Sequence, residues 1–132
     1  MKEHCVDLEI AKELKENKFP QESFWCYYFC NTLKGIIWNF GENNRLHAKI
    51  SKEICSAPAS DEILIKLPNE IIHNNNIFNL TVEKYLFRYE VQYIFLTNPL
   101  NGTMNNIFFE DEKLSNALAK LWIYCKKEGY IK

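Results

Sequence analysis

The sequence predicts an α+β fold: an antiparallel sheet of about four to five strands, formed by two hairpins, with three helices packed mainly on one face. Two observations carry this. Stretches in which apolar residues alternate come in two pairs, over 23–40 and 77–95, each joined by a short loop or tight reversal that suits antiparallel neighbours. Segments with three- and four-residue apolar spacing stand before, between and after those pairs, an order that favours helices on an antiparallel sheet.

The first helix is expected from Asp7 to Asn17. Asp7 would accept hydrogen bonds from the first-turn amides, and Leu8, Ile10, Ala11 and Leu14 form the apolar stripe. Phe19-Pro20 stops it, and Lys12 and Glu16 are spaced to pair on its outer side. From Ser23 the period becomes two. Phe24, Cys26, Tyr28 and Cys30 point one way and Trp25, Tyr27 and Phe29 the other, so the strand is apolar on both faces. Ile36 to Phe40 completes a hairpin, and Leu46 to Ile50 is a weaker third strand.

In "SAPASDEILIKLP" a helix of about two turns fits between Pro58 and Pro68, capped by Ser60 and burying Ile63, Leu64 and Leu67. "HNNN" reads as a polar loop leading to a strand over 77–84. After a reversal near Tyr85 and Leu86, Phe87, Tyr89, Val91, Tyr93 and Phe95 line one face of the next strand. "TNPLNGTMNN" is a loop with a turn at Asn101-Gly102. The last helix opens at Asp111, carries Leu114, Ala117, Leu118, Leu121, Trp122 and Cys125 on one face, and ends before Gly129.

A chain of 132 residues fits one domain, 1–132, with its own core. Its formal charge of −1 provides no net field to gather polyphosphate or anionic lipid, and no excess of carboxylates with which to imitate a DNA backbone. Five cysteines without paired short spacing, and a start lacking the apolar run of a signal peptide, point to reduced thiols and a cytoplasmic location. The apolar runs are far shorter than the roughly 20 residues a membrane-spanning helix needs, so no membrane partner is expected.

Catalytic motifs are missing: the chain has no glycine-rich phosphate cradle, GxSxG, HExxH or CxxC. His4, His47 and His73 are scattered, and a hydrolase built on His47, His73 and Asp111 is the weakest reading. Cys26 and Cys30 would lie roughly 13 Å apart on one strand face, too far to share a metal or a disulfide. Glu110, Asp111 and Glu112 read more economically as the start of a helix than as a magnesium site. No cofactor, metal or catalytic residue is therefore expected. Base-stacking sheets combine exposed rings with Lys and Arg, but only Lys34 is basic around the first hairpin, which argues against direct nucleic-acid binding. Its rings favour a core role. Alternatively one ring face, with Trp25, Tyr27, Phe29 and Trp38 as anchors, meets a partner protein or a second copy in a homodimer.

Three stretches, "SAPASDEILIKLP", "LTVEKYLFRYEVQYIF" and "DEKLSNALAKLWIYCKKEGYI", resemble a loose group of small phage and prophage accessory proteins. The matched positions are caps and core, so no functional residue carries over. The resemblance implies a non-enzymatic inhibitor of a host defence nuclease, of the anti-CRISPR type, binding the effector protein or its guide ribonucleoprotein in the bacterial cytoplasm. The alternative is a homo-oligomeric phage structural or adaptor protein.

Overall fold

The computed structural model describes residues 1–32, 35–44, 52–95 and 107–132. Among them a 3-10 turn (Lys2–His4) precedes helix α1 (Leu8–Glu16) and strands β1 (Trp25–Thr32), β2 (Gly35–Glu42) and β3 (Ile54–Ser56). Helix α2 (Ser60–Leu64) leads to β4 (Glu70–His73), β5 (Asn76–Lys84), β6 (Tyr89–Phe95) and β7 (Ile107–Asp111), and helix α3 (Leu114–Lys127) follows. The expected third strand at Leu46–Ile50, the turn at Asn101-Gly102, and His47 lie outside the described residues.

The α+β class and the antiparallel pairing are as the sequence predicts, but the strands form two sheets, ordered β2-β1-β3 and β4-β5-β6-β7. The reason lies in α3. It is buried on nearly every side, from Ser115 through Ala119 and again at Leu121, Trp122, Ile123 and Cys125, as befits a helix inside a molecule. β6 and β7 pack against it, as do α1 and α2, and α1 in turn meets β3. The helices therefore do not sit together on one face of one sheet. A single buried cluster containing Leu14, Tyr27, Ile63, Val91 and Leu121 joins both sheets and all three helices.

Three strands escape the sequence reading: the three-residue β3, which pairs with β1 from Cys26↔Ser56 to Tyr28↔Ile54, and β4 and β7. "HNNN" is a hairpin turn: Asn74 and Asn75 have φ of 50° and 64°, the left-handed conformation that a type I′ two-residue link uses. It brings Glu70–His73 into register with β5, His73 facing Asn76. The segment Ile107–Asp111 is β7, paired with β6 from Tyr93↔Ile107 to Tyr89↔Asp111. Helix α3 consequently opens at Leu114, not at Asp111.

Other local expectations are adjusted by tertiary contacts. Asp7 stands at the N-cap of α1, but its carboxylate makes no cap hydrogen bond and instead accepts from Lys113 and Asn116. Lys12 pairs with Glu9 at 3.2 Å, one turn back, rather than with Glu16. Beyond α1, Lys18 takes a φ of 66° and the Phe19 amide returns to the Leu14 carbonyl at 2.9 Å, which drives the Phe19 ring edge-on against Trp122. Ala59, not Ser60, caps α2, where the Glu62 carboxylate accepts the Ala59 N–H at 2.7 Å. Ile63 and Leu67 are buried there, whereas Leu64 is exposed. No described helix is long and apolar enough to cross a membrane.

Candidate functional site

The ring-rich hairpin is only partly internal: Cys26 and Tyr27 are buried, Trp25, Tyr28, Phe29, Trp38 and Phe40 are half-buried, and Phe24, Ile36 and Ile37 are exposed. Its register sets Tyr27 against Phe40 and Phe29 against Trp38, and the rings follow: Trp25 stacks on Phe40 at 5.4 Å, and Phe29 lies 3.9 Å from Trp38. Tyr27 is only 3% exposed. It donates its hydroxyl proton to the Val6 carbonyl at 3.0 Å, and burial pushes its pKa up to about 12. That residue is core and is not presented to a partner. Trp25, Phe29 and Trp38 are half-buried; Trp25 and Trp38 pack against the core, and Lys12 sits over the Trp38 ring.

Exposed apolar side chains occur at several places among the described residues, including Ile36, Ile65, Ile72 and Ile77, and the two most exposed lie together at the β5–β6 turn. Leu86 and Phe87 are 86% and 81% exposed, and Tyr85 before them is also exposed. Local bonds hold this end in place. The Tyr85 amide donates to the Arg88 carbonyl at 2.8 Å, closing the reversal, and its hydroxyl donates to Glu83 at 2.6 Å. Arg88 lies over the Tyr85 ring, 5.0 Å from its centre. Its guanidinium donates to Glu90 and reaches Glu110 at 3.1 Å.

Register explains why Arg88 belongs there. Glu83 faces Glu90 and Glu90 faces Glu110, a row of like charges across three strands that would be destabilising without a cation. Each surface ion pair contributes only about 0–1 kcal/mol, so the effect is chiefly to orient the turn. Leu86 and Phe87, at the two central positions, are thereby left projecting.

Beside Phe87 and Arg88 opens a groove of about 500 Å³ whose polar lining includes Asp7, Glu110, Asp111 and Asn116. Two lysines occupy its carboxylates: Lys113 donates to Asp7 at 2.7 Å and Lys120 to Asp111 at 2.7 Å. Asn116 adds a bond to each. The Lys113 hydrogen bond is the main reason the Asp7 carboxyl sits below the ordinary aspartate range. At Asp111 burial acts upward, but bonds from Lys120, the Lys113 amide and Asn116 together outweigh it and lower the pKa. Both groups are fixed as carboxylates with their oxygens already engaged, an arrangement suited to locking elements together rather than to moving protons. Among the described residues no group of three or more His, Cys, Asp or Glu side chains is placed to hold a metal ion.

The thiols are free, and Cys5, Cys26, Cys55 and Cys125 are buried. Burial raises the pKa of all four, to about 11 for Cys5 and Cys125, and a buried protonated thiol is a poor nucleophile. His73 shares a 2.5 Å hydrogen bond with the Tyr130 hydroxyl, and His4 is exposed on the first turn.

Sequence reasoning passed over Leu86 and Phe87 because Phe87 continues the alternation of β6. The available signal was composition: turns favour Gly, Pro, Asn, Asp and Ser, and a Leu-Phe pair at the centre of one is out of place unless it has a contact to make. What the fold and this site define is an antiparallel α+β protein with an ordered, projecting apolar turn. No family model matches the chain, and neither does any curated protein or solved structure.

Proposed function

We propose that the chain is a non-enzymatic binding protein that inhibits a host defence nuclease of the CRISPR type, acting in the bacterial cytoplasm by occupying the effector protein or its guide ribonucleoprotein. The observation that supports contact as its mode of action is the Leu86–Phe87 pair, held almost fully in water by an ordered turn. Burying such side chains in a partner gains about 1.5–3 kcal/mol each, and a turn already fixed loses little further entropy on docking. Engaged carboxylates and protonated, buried thiols in the described residues fit the same reading. The class of partner comes from the phage-accessory resemblance of three sequence stretches alone.

The contact surface differs from the one the sequence suggests. Leu86 and Phe87 are the first anchors, and the half-buried Trp25, Phe29 and Trp38 are secondary. The reading is tested by co-purifying the chain with the native host's CRISPR effector and guide and then assaying target cleavage. Inhibition in a stable complex supports it; normal cleavage at saturating amounts of the chain removes it.

A further inference from the structure

Sheet edges carry unpaired backbone groups, and proteins blunt them with short strands, charged side chains, proline or bulges. Three of the four edge strands among the described residues are blunted in this way. β3 is three residues long, β4 is four with Glu70 at its start, and β7 ends in Glu110-Asp111. The fourth, β2, is not. Its sequence GIIWNFGE runs for eight residues with a charge only at its end, and its pairing with β1 is continuous from Thr32↔Gly35 to Trp25↔Glu42, without a bulge. Ile36 is 68% and Ile37 48% exposed. Among the described residues no strand lies along its outer edge.

The direction of the outer backbone groups follows from one bond. The Asn43 amide donates to the Phe24 carbonyl at 2.6 Å, which sets the alternation of the ladder. Residues 37, 39 and 41 turn their N–H and C=O groups towards β1, so Ile36, Trp38 and Phe40 turn theirs to the outer edge, along which no described strand lies. We propose that this edge pairs with the same edge of a second copy of the chain, making a homodimer in which two three-stranded sheets become one continuous antiparallel sheet.

The choice of occupant rests on self-complementarity. A two-fold axis at Trp38 places the two Trp38 residues opposite one another as a hydrogen-bonded pair, and Ile36 opposite the second copy's Phe40. Aromatic and β-branched cross-strand pairs of this kind are favourable. An incoming strand must be free of charge to lie beside exposed Ile36 and Ile37, and residues 35–41 of a second copy meet that requirement. Antiparallel pairing of an edge with itself is also closed, so it stops at two chains. The dimer does not depend on the defence reading, whose first anchors Leu86 and Phe87 lie in the turn between β5 and β6 of the other sheet; only the secondary anchor Trp38 is shared.

Sedimentation across a concentration series, combined with residue-resolved amide exchange, tests the proposal. The expected mass is twice the 15.7 kDa of one chain, with the amides of Ile36, Trp38 and Phe40 becoming protected as the dimer forms. Ile36→Pro removes an outward N–H without touching the β1 ladder and is expected to halve the mass, whereas Ile36→Thr keeps that N–H and the dimer. A single-chain mass at every concentration would overturn the proposal. So would a dimer in which the three amides exchange freely. Should Ile36→Pro disrupt the hairpin, as circular dichroism would reveal, the wild-type exchange pattern still decides the matter.

Discussion

Asp7 and Asn116, separated by 109 positions in sequence, exchange two hydrogen bonds: the Asp7 amide donates to Asn116 Oδ1 at 3.0 Å, and Asn116 Nδ2 donates to Asp7 Oδ2 at 2.8 Å. The pair ties the start of α1 to the first turn of the central helix and holds the base of the groove. Asn116 is buried but its partner Asp7 is exposed, so Asn116→Ala removes the hydrogen bonds while water can still reach the Asp7 groups. Denaturant unfolding is expected to show a loss of about 0.5–1.5 kcal/mol. An unchanged midpoint would mean that the pair contributes nothing to stability.

The same network gives stability a definite pH dependence. Asp7 and Asp111 have folded-state pKa values below the ordinary 3.8. The unfolded chain therefore takes up protons first as pH falls. Their contribution is complete above the unfolded value and disappears as pH drops through the lower folded values. Melting temperature should decline across that acid window. Asp111→Asn should be less stable than wild type at neutral pH and show a shallower acid decline.

Thiol accessibility provides an independent check on packing. Cys30 is half-buried, whereas Cys5, Cys26, Cys55 and Cys125 are buried. A soluble thiol reagent should modify Cys30 first in the folded protein and reach the other four only on unfolding, as mass spectrometry of timed samples would show. Rapid native labelling of Cys125 would contradict the central placement of α3.

Much of this architecture is legible in the sequence, and the exceptions have physical causes. Helix α3, the β1–β2 hairpin and the β5–β6 pair announce themselves because long periodic segments bury whole faces. β4 is too short for a pattern, and its turn uses left-handed Asn74 and Asn75 without a glycine. β7 is obscured because Glu110 and Asp111, which mark helix starts elsewhere, here end a strand opposite Glu90 and Tyr89. The division into two sheets follows from burial of α3 on nearly all sides, and a one-faced apolar stripe does not convey it. At the site, Tyr27, one of the candidate anchors, is buried as the favoured core reading of its strand expects, while Leu86, which the sequence places only at a reversal, is the most exposed of the described large apolar residues.

The projecting turn should be separable from stability. Leu86→Asp and Phe87→Asp alter side chains that pack against little, and surface changes of that kind usually stay within about 0.5 kcal/mol. Both variants should melt close to wild type. A large loss of stability would show that Leu86 and Phe87 are structural and not presented for contact.

The most direct test is a cleavage titration with the native host's CRISPR effector and guide, comparing wild type with the Leu86→Asp/Phe87→Asp double variant. Wild type should abolish cleavage at stoichiometric amounts, while the folded double variant should leave it near the uninhibited rate. Cleavage that continues at saturating wild type, or inhibition by the double variant equal to wild type, would contradict an inhibitor that works through this turn.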